Sequence, residues 1–220
     1  MTQSTHEARR RHRREAILEI ARTSFFEHGY AGTSMSSIAA SLGGSKTTLW
    51  SCFPSKEDLF AAVLEGETGR FRMGVLEALD QDGPLVDSLR RFCRAFLRKL
   101  LSPDILRLNR LVISEVERFP EVGRIFFEHG PKETGQRLSE YLHSAMERGQ
   151  LRKADPLLAA QQLTSLCQAR SHMRCLWNVG TPPRAEEIDA DVETALDTFL
   201  RAYLICPETA ALETAAPETA

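Results

Sequence analysis

The sequence predicts an all-α protein, and three observations carry that prediction. Apolar residues recur every three to four positions from Ile17 to Tyr203. No segment shows the apolar–polar alternation of a half-buried strand. Prolines and glycine–proline or aspartate–proline pairs separate the periodic stretches: Pro54, Gly83-Pro84, Pro103, Pro120, Gly130-Pro131 and Asp155-Pro156. With 220 residues, 42% of them hydrophobic, the chain can bury a sizeable core.

Residues 1–8 read as a frayed end. Arg9, Arg10, Arg11, Arg13 and Arg14 then enter a helix to about His28, with Ile17, Leu18, Ala21 and Phe25 as its core stripe and Gly29 as its end. Ser34 is placed to N-cap a second helix whose apolar face is Ile38, Ala39 and Leu42. Gly43 and Gly44 break it, because glycine takes the positive φ a helix end needs. Ser45 can cap a third helix, Lys46 to Cys52, with Leu49 and Phe53 facing inward. Lys46, Thr47, Thr48, Trp50 and Ser51 are left to face outward. Two short helices around a glycine turn read as a helix-turn-helix, whose second helix enters the DNA major groove.

Pro54 stops the third helix. Ser55 caps a long helix to about Asp80, and Ser55-Lys56-Glu57-Asp58 approximates a capping box. Lys56 at this helix start is a natural phosphate ligand. Leu59, Phe60, Val63 and Leu64 face the head, whereas Phe71, Val75, Leu76 and Leu79 belong to the body. Pro84 opens a helix to about Leu101 through Leu85, Leu89, Phe92, Phe96 and Leu100. Ser102-Pro103 opens another to about Phe119, and Pro120 a short one interrupted at Gly130-Pro131. The next helix runs to Arg148 and is capped by Gly149. Asp155-Pro156 is an N-cap with proline at the first helical position, starting a helix to about Trp177. The last helix, Ala185 to Ile205, carries Val192, Ala195, Leu196, Phe199, Leu200 and Tyr203. Residues 207–220 repeat Glu-Thr-Ala and lack the apolar bulk to order, so they read as a disordered tail.

Charge is asymmetric beneath a formal net of −2: residues 1–53 hold seven Lys+Arg against four Asp+Glu, and the remainder 21 against 26. A basic end on an acidic body suits a protein presenting one face to a polyanion. The arginine run is either a solvated helix start or a set of phosphate contacts, and its place beside a helix-turn-helix favours the second. No apolar run approaches the roughly 20 residues of a membrane span, and no apolar stretch follows the basic N-terminus, so a cytoplasmic location is expected. Five cysteines without a C-x-x-C pair fit free thiols. The six histidines form no metal-binding pattern, and no nucleophile elbow or dinucleotide fingerprint occurs. Neither metal, cofactor nor catalysis is expected. Gly43-Gly44-Ser45-Lys46-Thr47-Thr48 is not a phosphate-binding loop, because Ser45 precedes the lysine and helices flank it.

Ile17-Leu18, Ala21, Phe25, Gly29-Tyr30, Thr33-Ser34-Met35, Ile38-Ala39, Ser45-Lys46, Leu49, Phe53, Ser55-Lys56-Glu57 and Leu59, in register, resemble the N-terminal domain of the TetR family of transcriptional regulators. The chain differs from the usual pattern at Ser24, Gly44, Thr47, Trp50 and Cys52. The stretch from Arg110 to Pro131 and the last two helices resemble an AefR-type C-terminal domain. The resemblance implies a three-helix DNA-binding domain over 1–54, a helical ligand-binding and dimerisation domain over 55–206, and a four-helix dimer interface from the last two helices and their symmetry mates. It also implies that the long helix after Ser55 transmits movement between body and head.

The expected function is that of a homodimeric DNA-binding regulator, a repressor released from a palindromic operator by a small molecule. The alternative is a helical binding protein or enzyme with no DNA function. Arg9, Arg10, Arg13, Thr33 and Lys56 are the expected phosphate anchors, and Ser45, Lys46, Thr47, Thr48, Trp50 and Ser51 the expected reading surface. Phe92, Phe96, Leu111, Phe126, Tyr141, Met146 and Leu166 are either core or effector pocket. Arg170 lies on the stripe Leu163, Leu166, Arg170, Met173, Trp177. A charge there needs a partner or water, so it is either an interface arginine or the cation for an acidic ligand. Cys167 and Cys175 lie two turns apart on the same expected helix, and thiol sensing or simple burial would each explain them.

Overall fold

The computed structural model describes residues 2–43 and 46–205, with the side chains of 2–6, 46 and 47 outside that description. The tail expected over 207–220 therefore lies outside the described residues. Among the described residues there are eleven α-helices and no sheet. In chain order they are α1 (Thr2–Gly32), α2 (Met35–Ser41), α3 (Lys46–Cys52), α4 (Lys56–Leu76), α5 (Leu85–Leu100), α6 (Pro103–Glu115), α7 (Pro120–Phe127), α8 (Glu133–Glu147), α9 (Pro156–Gln168), α10 (Ser171–Leu176) and α11 (Ala185–Tyr203). A π-helical turn, Glu128–Lys132, joins α7 to α8 around Gly130-Pro131.

The chain divides into two compact units: Met1–Phe71 with Pro103–Lys132, and Arg72–Ser102 with Glu133–Ala220. The first unit holds the helix-turn-helix and, packed on it, α6 and α7. Its core is built from Ile17, Ala21 and Phe25 of α1, Ile38 and Ala39 of α2, Leu49 of α3, Leu59 to Leu64 of α4, and Leu108, Leu111 and Val112 of α6. In α1, α4 and α6 these residues include spacings of three or four, as a helix burying one face requires. The second unit packs α8 against α9, and α11 against both α5 and α9. Its core includes Leu89, Phe92, Phe96, Leu138, Tyr141, Leu142, Leu163, Val192, Leu196 and Phe199. Ion pairs line the α5–α11 seam: Arg90 Nε to Glu193 at 2.8 Å and Arg94 Nε to Asp189 at 2.8 Å.

Three of the expected N-caps form, and the cap expected of Ser45 lies outside the described residues. Ser34 Oγ accepts from Ser37 N at 3.0 Å, and Ser37 Oγ accepts in return from Ser34 N at 3.1 Å. Ser55 Oγ accepts from Asp58 N at 3.0 Å and donates to Asp58 Oδ2 at 2.7 Å. Asp155 Oδ1 accepts from Leu157 N and Leu158 N at 2.8 and 3.2 Å. Each cap satisfies an orphan N–H of a first turn.

Several boundaries differ from expectation; the helix opened by Ser102-Pro103 ends at Glu115, short of Phe119. The first helix begins at Thr2 rather than after a frayed end. The helix opened by Ser55 ends at Leu76, short of Asp80. The single helix expected from Asp155 to Trp177 is two, α9 and α10, broken at Arg170 (φ −117°, ψ −91°). The break has a visible cause. The buried carboxylate of Asp191, on α11, accepts from Ser171 N at 3.1 Å and pairs with the Arg170 guanidinium at 3.0 Å. A backbone N–H bonded to that carboxylate is turned away from the i→i−4 ladder of α9.

Candidate functional site

The candidate DNA-facing surface is the outer side of α1–α3. Leu49 and Phe53 are buried and anchor α3 to the core, while Trp50 and Ser51 are exposed and Thr48 is half-buried. Ser51 Oγ donates to Thr48 O at 2.9 Å, so this hydroxyl begins with an intrahelical partner. Lys46 and Thr47 occupy the first turn of α3, and Ser45 and Gly44 lie outside the described residues. Arg9, Arg10 and Arg13 are exposed along the start of α1. Arg14 stacks its guanidinium 5.0 Å from the Phe53 ring, which brings this basic turn alongside the end of α3.

Two expected phosphate anchors are placed differently. Thr33 is buried, and its Oγ1 donates to Gly29 O at 2.8 Å and lies 3.2 Å from Ser24 Oγ. Its hydroxyl is thus spent on closing the α1–α2 corner, and Ser24, where the family pattern is apolar, supplies its polar neighbour. Lys56 is half-buried, with its Nζ drawn toward two aromatic rings. The Nζ sits 4.0 Å from the Tyr30 ring centroid and 5.6 Å from that of Phe119. Burial lowers the Lys56 ammonium pKa although Glu57, Glu115 and Glu121 oppose the shift.

The corner after α1 needs its glycine. Gly29 has φ +74°, and a Cβ there would stand 2.7 Å from Glu115 Oε1. That carboxylate accepts from Ala31 N at 3.0 Å, so the last turn of α6 grips the end of α1. A second tie is Arg22 of α1, whose guanidinium bonds the buried Glu67 of α4 and Asp104 of α6, each at 2.7 Å. Arg70 also pairs with Glu67. These charges hold α1, α4 and α6 in one register, because a buried carboxylate left without partners would be costly.

The expected effector residues fall in both units. Leu111 and Phe126 belong to the first unit, the rest to the second. Phe92 and Phe96 are buried and stacked at 5.7 Å. Tyr141 is buried and donates its hydroxyl to Asp80 O at 3.2 Å, Met146 is buried, and Leu166 is half-buried. Of the eight, Arg170 alone lines the cavity of about 440 Å³ found between α10 and α11, with Met173, Arg174, Trp177, Glu187 and Asp191. Arg170 is mostly solvent-exposed and already paired with Asp191, which supports a structural over a ligand-gripping role.

Sequence reasoning missed His172. It is buried, neither ring nitrogen has a hydrogen-bond partner among the described residues, and burial lowers its pKa. It also gave Cys167 no partner on another helix. Cys167 is set against Cys93 of α5, both buried, and the hydrogen bond between them, with burial, pushes the Cys93 thiol well above its usual pKa. A thiol held protonated is a poor nucleophile. No local pattern marks these groups, since each is defined by a partner on another helix.

Comparison with known proteins bears on the whole arrangement. Residues 17–63 match the model of the tetR family of bacterial regulatory proteins, and residues 87–205 that of the AefR-like transcriptional repressor C-terminal domain. The chain is 31% identical to the solved structure of a flavonoid-responsive regulator, FrrA, covering 87% of this chain and 96% of that one with a TM-score of 0.79. A TetR-family regulator structure from Mesorhizobium loti shares the fold at a TM-score of 0.79, with 24% identity over 90% of this chain and 99% of that one. The HTH-type regulator YezE of Bacillus subtilis is 25% identical over 147 residues, 66% of this chain and 75% of its own length. A helix-turn-helix head and a helical body that both match in register place the chain in the TetR family of DNA-binding transcriptional regulators, with an AefR-like C-terminal domain.

Proposed function

We propose that this regulator is a homodimeric repressor that holds a palindromic operator and releases it when a small molecule binds its helical body, and that it works in the cytoplasm as a binding protein rather than an enzyme. The reading is carried by α3, which is pinned by Leu49 and Phe53 while Trp50 and Ser51 stand exposed beside the arginines of α1. Residues 1–54 read DNA, and 55–206 bind the effector and dimerise. Arg9, Arg10 and Arg13 neutralise phosphates, and Ser45, Lys46, Thr47, Thr48, Trp50 and Ser51 meet base edges. Thr33 and Lys56 are drawn inward, which moves the weight of phosphate anchoring onto the arginines.

Flavonoid response in a relative 31% identical along nearly the whole chain supports a flat aromatic effector here. The buried Phe92–Phe96 stack and the unpaired His172 ring are the groups in the second unit suited to one. Effector acts only through its different affinities for the DNA-competent and released states.

Selection of operator sequences from a random duplex pool, followed by binding titrations, tests this. A palindromic consensus with half-sites spaced by whole helical turns is expected. Thr47→Ala should relax base preference within the half-site, at a cost of about 1–3 kcal/mol on the preferred sequence. Selection that returns no consensus sinks the repressor reading, and turnover of a small molecule without DNA affinity would put the enzyme reading in its place.

A further inference from the structure

Lys56 opens α4 where a cation could meet a phosphate backbone, yet its ammonium is packed into an aromatic corner. The Tyr30 and Phe119 rings meet edge to face at 5.2 Å, and Lys56 Nζ lies 4.0 Å from the first centroid and 5.6 Å from the second. Glu57, Glu115 and Glu121 supply negative charge around it, and Arg118 the opposing positive charge. The corner is itself held in place. Phe119 N donates to Glu115 O at 2.8 Å, and Glu115 Oε1 accepts from Ala31 N at 3.0 Å. Tyr30 belongs to the end of α1, and Phe119 is the residue that caps α7. The far end of α1 and the start of α7 therefore fix where this lysine rests.

We propose that Phe119 is a positioning residue for DNA binding: with Tyr30 it stores the Lys56 ammonium away from the phosphate backbone, where it stays in the operator complex until this corner opens. The proposal rests on the DNA-binding reading above. Its physical basis is competition. A cation over aromatic faces is favoured more strongly as it is desolvated, and a phosphate offers the same ammonium a charge-assisted contact with release of counterions. Movement of the α6–α7 corner shifts that balance through a single side chain and leaves α3 in place.

The full-length protein, its Phe119→Leu, Lys56→Ala and double variants are titrated by fluorescence anisotropy between about 50 and 200 mM salt. Two labelled duplexes are used, a selected operator and a random sequence of equal length. Leucine keeps the corner apolar and removes the ring. Phe119→Met repeats the test should Phe119→Leu melt early by circular dichroism. The loss of one ring contact predicts binding about two- to tenfold tighter to both duplexes. The salt slope should steepen by about 0.9, one more phosphate neutralised. Lys56→Ala should abolish both effects, so that the double variant matches Lys56→Ala alone. An unchanged salt slope, or the same change in affinity when Lys56 is absent, would show that Phe119 is only structural and overturn the proposal. Failure of the parent protein to bind either duplex overturns the DNA-binding reading and this proposal together.

Discussion

His172 shows what a single unpaired side chain demands. Its ring is buried with neither nitrogen bonded among the described residues, and burial lowers its pKa from the ordinary value near 6.5. The folded protein therefore keeps it neutral while the unfolded chain takes up a proton as pH falls through about 6.5. The unfolded state then binds more protons, so stability should fall with falling pH below that point, by up to about 1.4 kcal/mol per pH unit. Urea unfolding between pH 5.5 and 7.5 measures this, and His172→Leu should remove the slope that this group contributes. The same substitution should raise stability at pH 7, since it removes two buried polar atoms that have no partner. A slope unchanged in His172→Leu would show that the ring is hydrated in the folded state. Lys56 and Thr33 make the companion point. Both occupy positions where a helix start exposes side chains, and both are turned inward by neighbours, Tyr30 and Phe119 for one and Gly29 for the other. Spacing placed them on the right turn but could not say which way the side chain would go.

Elements were legible wherever the deciding interaction is local. Ser34, Ser55 and Asp155 each cap a helix within three residues of themselves, and each does so in the structure. The α9–α10 break was not legible, because it is imposed by Asp191, twenty residues further along the chain. Nothing between Pro156 and Trp177 disfavours a continuous helix, and the stripe through Arg170 fits one well. The break follows from satisfying a buried carboxylate. Asp191→Ala removes the acceptor of Ser171 N–H and should destabilise the protein by about 1–3 kcal/mol. Asp191→Asn keeps a carbonyl for that N–H and loses the ion pair, whose arginine is mostly exposed and so contributes little. Its cost should stay under about 1 kcal/mol. Chemical denaturation of the two variants separates these outcomes, and equal losses would mean that the ion pair rather than the backbone hydrogen bond holds the break open. For the candidate site the same division applies. The helix-turn-helix is a local pattern and was readable, whereas the effector residues had to be chosen from apolar faces that core packing explains equally well.

At the scale of the whole molecule, one head can read only one half-site, so operator recognition depends on a second copy. The isolated chain leaves Leu157 and Leu158 of α9 exposed, with Trp177 and Val179 just beyond α10, and Trp177 is 68% accessible. Under the proposed homodimer these side chains lie on the face that the last helices share with their mates. Leu158→Glu tests that arrangement with little risk to the protomer, because Leu158 is already 48% accessible and contributes little to its own core. In the dimer it would place an unpaired carboxylate against an apolar partner. Sedimentation should show monomer at micromolar concentration where the parent is dimeric. Operator affinity should fall by at least about 100-fold, since two linked half-site contacts become one. The salt slope should drop to about half, because half the phosphate contacts are lost. Affinity for random duplex should fall far less. If Leu158→Glu stays dimeric with its operator affinity intact, α9 lies outside the interface and the two heads are joined through another surface.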